Sequence, residues 1–333
     1  MPEYLVVRCH GLATHLLPKQ VMEALASSKN IKDFADMLSP TDYGGRMREL
    51  KDVNAYSLEQ VFFDEFIAKC KFVAAAASGA MQDFLRAYFR RLEVQALSRI
   101  LRVKMSKPSG EIKPHLTSMK GLTDLRLDRM LDAEDVESAV ELLKDTCYSP
   151  VAKSLDWYRE YNSMLPLEFH LRKVYYTMML EAMRNLPGGD RERIGRLLGI
   201  EVDVANCFTV VAPVLYGYSA ELSKQLIIPH FFRLVPSKVK EVTEAKSPHA
   251  VLPLLRSYEE VVKPLLEEND ECLGEVRALN LILKEARKQM LEASVDFAYA
   301  TCYLALCEIE RRNLTLIAYL TQQNLQVKGY LAL

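Results

Sequence analysis

The sequence predicts an all-α protein, and three observations lead to that fold class. The 333 residues include only 13 Gly and 14 Pro, while residues that favour helices, such as Leu, Ala, Glu and Lys, are abundant. Apolar residues recur at steps of three and four along the longer segments, which is the spacing of one helical face. No segment shows the sustained alternation of a strand; the apolar run 226–235 is expected to be helix or an irregular connector.

Composition and charge narrow the class of protein further. Half of the residues are hydrophobic, and 43 basic residues are balanced by 44 acidic ones, so the chain lacks the electrostatic footprint of a nucleic-acid-binding protein. Seven cysteines without CxxC spacing favour a reducing compartment over a disulfide framework. The longest uncharged stretch, 204–220, is short for a transmembrane span, and we expect a buried helix that ends near Pro213. The chain is therefore predicted not to cross the bilayer.

One helical unit occurs three times along the chain. Segments 16–38, 130–155 and 233–255 open alike, and each predicts a hairpin of two short helices. Val21, Val136 and Val239 are interpreted as equivalent positions in these openings. Longer helical segments follow in each copy. The predicted division is residues 1–112, 113–222 and 223–333, each a helical repeat.

Each copy closes on a helix with a shared acidic motif. Glu93, Asp203 and Glu310 align at spacings of 110 and 107 residues. Three positions later comes a slot on the inward helical face that is occupied by Ala96, Asn206 and Asn313. A buried Asn must find hydrogen-bond partners, and it then fixes the register of its neighbours. We therefore interpret the six residues as a structural motif; direct contact with a partner protein is the alternative.

Motifs that carry chemistry are missing from the sequence. There is no phosphate-binding loop, no GxGxxG and no HExxH, and the six histidines do not pair at metal-ligand spacing. Residues 104–107 read KMSK, which we interpret as the basic end of a helix rather than a nucleotide-binding motif. The sequence therefore predicts no catalytic residue, no metal, no cofactor and no small-molecule substrate.

Several motifs together resemble the C-subunit family of archaeal A-type and bacterial V-type rotary ATPases, whose eukaryotic relative is the d subunit of the V-type ATPase. They are the opening YLVVRCHGL at 4–12, the acid-x-x-Asn segments at 203–206 and 310–313, and the run NLTLIAYLTQQNL at 313–325. Two departures from the family pattern occur. Ala96 stands where an Asn is expected, and Thr321, Gln322 and Gln323 replace basic residues.

The resemblance implies a mechanical role. Proteins of this family have three helical domains around a pseudo-threefold axis, which form a funnel with a central socket. The chain would be a non-catalytic rotor subunit of a proton- or sodium-translocating ATPase or ATP synthase, bound peripherally at the cytoplasmic face of the cell membrane. Its partners would be the D and F subunits of the central stalk and the membrane rotor ring of proteolipid subunits. From their context near the closing motifs, we hypothesise that four residues line or flank the socket: Arg99, Arg102, Arg311 and Arg312.

Two alternatives stay open at this stage. A helical-repeat scaffold of another multiprotein assembly would share the helices but stack its copies in line. An all-α enzyme using carboxylate-bound magnesium would need an acidic cluster, and the sequence has no DDxxD-like run.

Overall fold

The computed structural model describes residues 2–106, 113–327 and 329–333. Nearly all regular structure in these residues is helical, and no strand occurs among them. The single β-type pairing in the described ranges is an isolated bridge between Lys120 and Thr123. The all-α prediction is confirmed, and the pseudo-threefold arrangement stays a prediction.

The first repeat supplies six helices, and polar side chains cap the starts of two of them, α3 and α5. Asn30 accepts hydrogen bonds from the amides of Lys32 and Asp33 at 3.0 and 2.9 Å. Asn54 and Ser57 form a reciprocal capping box. The helices are α1 (Pro2–Ala13), α2 (Lys19–Ala26), α3 (Ile31–Leu38), α4 (Gly44–Met47), α5 (Ala55–Ala76) and α6 (Ala80–Ser106). Helices α2 and α3 form hairpin one.

The structure of the second repeat shows that one equivalence inferred from the sequence, that of Val136, is wrong. The α-helices are α7 (Lys113–Ser118), α8 (Leu127–Asp132), α9 (Val136–Glu141), α10 (Leu155–Tyr161), α11 (Leu165–Arg184) and α12 (Gly188–Tyr216), with a 3₁₀ segment, Ser149–Ser154, before α10. Helices α8 and α9 form hairpin two, and Val136 begins the second helix of that hairpin. Val21 and Val239 lie instead in the first helices of their hairpins, so Val136 is not their equivalent.

Helix α12 is longer at its C-terminal end than the sequence predicts. Pro213 lies inside the helix rather than at its end. The helix stops at Gly217, which takes a φ of +71° and donates its amide to the Pro213 carbonyl at 3.0 Å. Glycine adopts that left-handed conformation without a Cβ clash, so it ends the helix where proline does not.

The third repeat resembles the first two in the order of its elements: a hairpin, then short helical segments, then a pair of long helices. The helices are α13 (Ala220–Leu226), which spans the predicted boundary, α14 (Pro236–Glu244), α15 (Pro248–Val251), α16 (Glu259–Lys263), α17 (Glu271–Glu292) and α18 (Phe297–Gln322). Helices α14 and α15 form hairpin three, and Pro236 is the first residue of α14. The apolar run 227–235 before it is an irregular connector, which is one of the two structures that the sequence predicts there.

The chain divides into two compact units. The first comprises Met1–Gln82, Pro187–Leu197 and Glu275–Leu333, and the second comprises Asp83–Leu186 and Leu198–Gly274. In the first, α18 packs along α5 and against α1, α2 and α3. Units defined by packing differ from repeats defined by sequence, so the division at 112 and 222 stays a prediction.

The core of the first unit joins the two ends of the sequence. Its central cluster combines residues of hairpin one, α5 and α18, together with Val327. Apolar side chains buried from water stabilise such a cluster by roughly 25 cal/mol per Å². The fully buried members include Leu25, Phe34, Leu38, Leu58, Phe62, Leu314 and Ile317.

At the end of hairpin one, the backbone of Gly44 lies close to the backbone of Ser39, and a substitution can test this packing. A Cβ there would lie 1.8 Å from the Ser39 carbonyl oxygen, whereas the Cβ of an alanine at Gly45 would meet nothing within 4 Å. Gly44→Ala is expected to lower the free energy of unfolding by about 1–3 kcal/mol, as overpacking does. Gly45→Ala is the matched control and should be neutral or stabilising by up to about 1 kcal/mol. Urea unfolding measures both, and equal midpoints for the two variants would contradict the packing at Gly44.

Candidate functional site: buried joints on the closing helices

The carboxylate of Glu310 ties hairpin one to α18. It accepts the Tyr43 hydroxyl at 2.7 Å and the Leu17 amide at 2.6 Å. Leu17 precedes α2 and Tyr43 follows α3, so one carboxylate holds both ends of the hairpin. Glu310 is only 5% exposed, so these hydrogen bonds replace its water.

Asp203 on α12 makes the same kind of joint with hairpin three. It accepts the Tyr258 hydroxyl at 2.9 Å, 55 residues along the chain. It also accepts the amides of Phe232, Arg233 and Leu234 at 3.0, 2.6 and 3.0 Å. The carboxylate has no exposed surface and again binds both ends of its hairpin.

Glu93 on α6 completes the set with hairpin two. It accepts the Tyr148 hydroxyl at 2.8 Å and the Thr123 hydroxyl at 2.7 Å, and the Arg90 guanidinium lies 3.3 Å away. The three joints follow one order: the closing helix of each repeat holds the hairpin of the next repeat. The last closing helix, α18, holds the hairpin of the first, across 267 residues of sequence.

The Asn side chains of the closing helices form hydrogen bonds with backbone groups rather than with side chains. Asn206 accepts the Ile228 amide at 2.8 Å and donates to the Ile228 carbonyl at 3.0 Å. Asn313 accepts the Ala332 amide at 3.1 Å and donates to the Ala332 carbonyl at 2.8 Å. Ala96, in the same slot of α6, is buried and has no polar side-chain atom with which to repeat this clamp.

A second pair of contacts follows the same order as the joints. The Tyr319 hydroxyl of α18 donates to Glu59 of α5 at 2.6 Å. The Arg102 guanidinium of α6 binds Glu168 of α11 through both carboxylate oxygens, with Nη2 at 2.7 Å from Oε2. Each closing helix in these two cases binds the first long helix of the next repeat.

The arginines hypothesised to face a partner also make contacts within this chain. Arg102 is used in the pair with Glu168. The Arg311 side chain is 11% exposed, 3.7 Å from Glu308 and over the rings of Phe63 and Phe66. Arg312 keeps 40% of its surface exposed and lies 3.5 Å from Glu308. Arg99 is half-buried on α6. Arg102 and Arg311 are therefore engaged by groups of this chain, and the role of all four arginines towards a partner stays a proposal.

Burial fixes the protonation state of the joint tyrosines. It raises the pKa of Tyr43 well above its usual range, and the adjacent charge of Glu310 raises it further. The pKa values of Tyr148 and Tyr258 rise for the same reasons, with Glu93 and Asp203 as the neighbouring charges. All three hydroxyls therefore stay protonated and act as donors.

The sequence pattern singles out the three carboxylates but not these tyrosines. A signal was present in two repeats, where 38–43 and 143–148 both read Leu-x-x-Thr-x-Tyr. Thr41 and Thr146 donate their hydroxyls to the carbonyls of Leu38 and Leu143 at 2.6 and 2.8 Å, which shapes the turn before each tyrosine. The third copy reads Leu-Arg-Ser-Tyr at 255–258, so the pattern is hidden there.

The part of the chain that the structure describes contains no metal-binding cluster, and two of its cavities lie beside joints. No group of three or more His, Cys, Asp or Glu residues there is placed to hold a metal ion. One cavity of about 200 Å³ lies beside the first joint, lined by Leu17, Pro18, Glu310, Asn313 and Leu333. A wider cleft of about 490 Å³ lies between α7 and α8, beside Lys120 and Arg126.

Helix α12 is the one described helix with the length and composition to cross a membrane. Most of its apolar stretch is buried inside the protein. The core helix of a globular protein has the same properties, and the buried Asp203 and Asn206 on this helix fit that environment.

These features define an all-α protein in which three hairpins are tied to long helices by buried polar joints. The family described as ATP synthase (C/AC39) subunit matches residues 5–328. The chain therefore belongs to this family. It is 22% identical to the C subunit of the A-type ATP synthase from Pyrococcus abyssi over 96% of this chain and 86% of that protein. The corresponding A-type ATP synthase proteins of Methanothermobacter thermautotrophicus (21% identity, 88% and 79% covered) and Pyrococcus furiosus (23%, 94% and 84%) are also similar.

Removing the tyrosine hydroxyl from one joint at a time tests how much these hydrogen bonds contribute to stability. Tyr43→Phe and Tyr148→Phe are each expected to lower the free energy of unfolding by about 1.5–3 kcal/mol, because a buried carboxylate loses a donor. Tyr258→Phe should cost less, because Asp203 keeps three backbone amides. Chemical denaturation measures the series.

Tyr158→Phe is the matched control for this series. Tyr158 is partly exposed and lies outside the joints, so its loss should change stability by less than about 0.5 kcal/mol. Joint variants as stable as this control would show that the hydroxyls contribute nothing.

The pH dependence of stability tests the burial of Glu310. Burial raises the pKa of Glu310 in the folded protein, against the opposing charge of Lys69. The folded state therefore binds more protons than the unfolded state between the two pKa values, and stability falls as pH rises through that range. Glu310→Gln removes the titration but keeps one acceptor and one donor. Urea unfolding from pH 4 to pH 8 should show wild type losing stability relative to this variant as pH rises. A constant or opposite difference would contradict the assignment.

Proposed function

We propose that the chain is a non-catalytic rotor subunit of an A/V-type ATPase or ATP synthase. In this role it links the central stalk to the membrane rotor ring and transmits torque between them. Family membership supports the assignment to an ATP synthase, and the relatives are named as C subunits of A-type ATP synthases. The partners proposed are the D and F subunits of the stalk and the ring of proteolipid subunits, at the cytoplasmic face of the membrane.

The observation that carries the proposal is the order of the joints. An in-line stack of three repeats has two joints between neighbours, and its first and last copies do not meet. This chain has a third joint, in which Glu310 of the last repeat binds Tyr43 of the first. That order supports three repeats arranged around an axis, with a socket between them.

A torque-transmitting spacer needs joints that resist shear. Each joint here combines a buried carboxylate, a tyrosine hydroxyl and further donors, in a setting from which water is excluded. Hydrogen bonds are electrostatically stronger in such surroundings, and their directionality fixes orientation. Two arginines of the closing helices are the proposed contacts with a partner: Arg312, whose side chain is 40% exposed, and the half-buried Arg99.

Affinity purification from native membranes tests the proposal. The tagged chain, expressed in cells that contain the complex and extracted with mild detergent, should recover stalk subunits and the proteolipid ring. Arg99→Glu and Arg312→Glu should reduce recovery of the stalk several-fold, while Lys238→Glu, an exposed charge reversal on hairpin three, should not. Recovery of the chain alone would overturn the proposal. Unchanged recovery with both arginine variants would remove only the arginine contacts.

A further inference from the structure

The joint between the second and third repeats is filled by one continuous segment. Asn206 clamps both peptide groups of Ile228. Four residues further along, Phe232 begins the run of three amides that binds Asp203, one turn earlier on α12. The connector thus runs through the Asn slot, then the carboxylate slot, and continues directly into hairpin three.

The joint that closes the third repeat onto the first is filled differently. On α18, the Asn slot at Asn313 holds Ala332, with the same pair of hydrogen bonds. The carboxylate slot at Glu310 holds Leu17, which lies more than 300 residues away from Ala332 in the sequence. Two separate segments therefore occupy the positions that one connector fills in the other joint.

Several residues of the described ranges 325–327 and 329–333 are packed into this place. Ala332 is 1% exposed, and the Leu333 amide donates to Asn280 of α17 at 3.0 Å. Val327 is buried in the cluster that contains Met22 and Leu25 of hairpin one, and Leu331 and Leu333 pack against the same cluster. The segment therefore contacts both the closing helix and the hairpin that the helix holds.

We infer that segment 325–333 is an intramolecular latch, which holds hairpin one onto α18 in place of the missing covalent connector. The inference does not depend on the proposed function, since it uses contacts within one compact unit. No chain segment leads directly from α18 into hairpin one, so loss of the latch leaves Glu310, apolar packing and the ion pairs of Asp42 and Arg46 with α5 to retain the hairpin. Hairpin three stays tethered by its connector even when its clamp is lost. Local opening of hairpin one, separate from global unfolding, is the expected consequence.

Hydrogen exchange of the full chain tests the latch. A variant lacking residues 329–333 should exchange the amides of α2 and α3 roughly tenfold or more faster than wild type, while α9 and α14 keep their rates. Ala332→Pro, which removes the N–H that Asn313 accepts, should give the same pattern with a smaller change. A synthetic peptide with the sequence of residues 325–333, added in excess to the shortened variant, should restore protection in α2 and α3.

Asn206→Ala is the control for the clamp itself. It removes the same pair of hydrogen bonds at the connector, together with a third to the His230 carbonyl at 3.2 Å, and hairpin three should keep its exchange rates to within about threefold because the chain still tethers it. The latch is wrong if α2 and α3 exchange at wild-type rates in both the shortened and the Ala332→Pro variants. It is also wrong if exchange rises equally throughout the protein, or if the peptide fails to restore protection.

Discussion

A carboxylate that leaves water must recover its hydrogen bonds inside the protein, and that constraint shapes every joint of this chain. Glu93, Asp203 and Glu310 are 3%, 0% and 5% exposed, and each recovers one bond from a tyrosine hydroxyl. Tyrosine suits the task because it brings a neutral donor on a large apolar ring. Tyr43 shows both parts: its hydroxyl reaches Glu310, while its ring packs edge-on against Phe62 with centroids 5.3 Å apart. One residue therefore contributes to the core and satisfies the buried charge.

The joints differ in the donors, other than tyrosine, that bind each carboxylate. Side-chain length explains part of this difference. Asp203 is one methylene shorter than the two glutamates, so backbone must come to it, and the connector supplies three amides. Glu93 reaches a hydroxyl from Thr123 and the guanidinium of Arg90. Glu310 has a single amide from Leu17, with Lys69 as the nearby charge, and burial raises its pKa. The joint without a covalent connector is thus also the one with the least complete compensation.

Periodicity in the sequence identified the helices and the face on which the acidic and Asn positions lie, because both properties are local to one helix. It could not identify Tyr148 or Tyr258, since each lies 55 residues from its carboxylate, and Tyr43 lies 267 residues from Glu310. The misaligned Val136 has a local cause. Pro18 and Pro236 mark the starts of two hairpins, whereas α8 begins at Leu127 with no proline to mark it. The second helix of hairpin two, with its clear Asp135 cap, therefore has the sequence pattern of a first helix.

An open array of helical repeats must cover the apolar faces of its two end copies, and terminal caps with a polar outer side usually do so. Here the apolar face of α18 is covered by hairpin one and α5, which come from the other end of the sequence. The third joint therefore covers apolar surface of α18 that the end copy of an open array would leave to a cap. The same solution makes each repeat depend on the next. A force that acts on one closing helix passes directly to a hairpin of another repeat, through a buried carboxylate. The proposed role between a rotating ring and a shaft would require coupling of this kind.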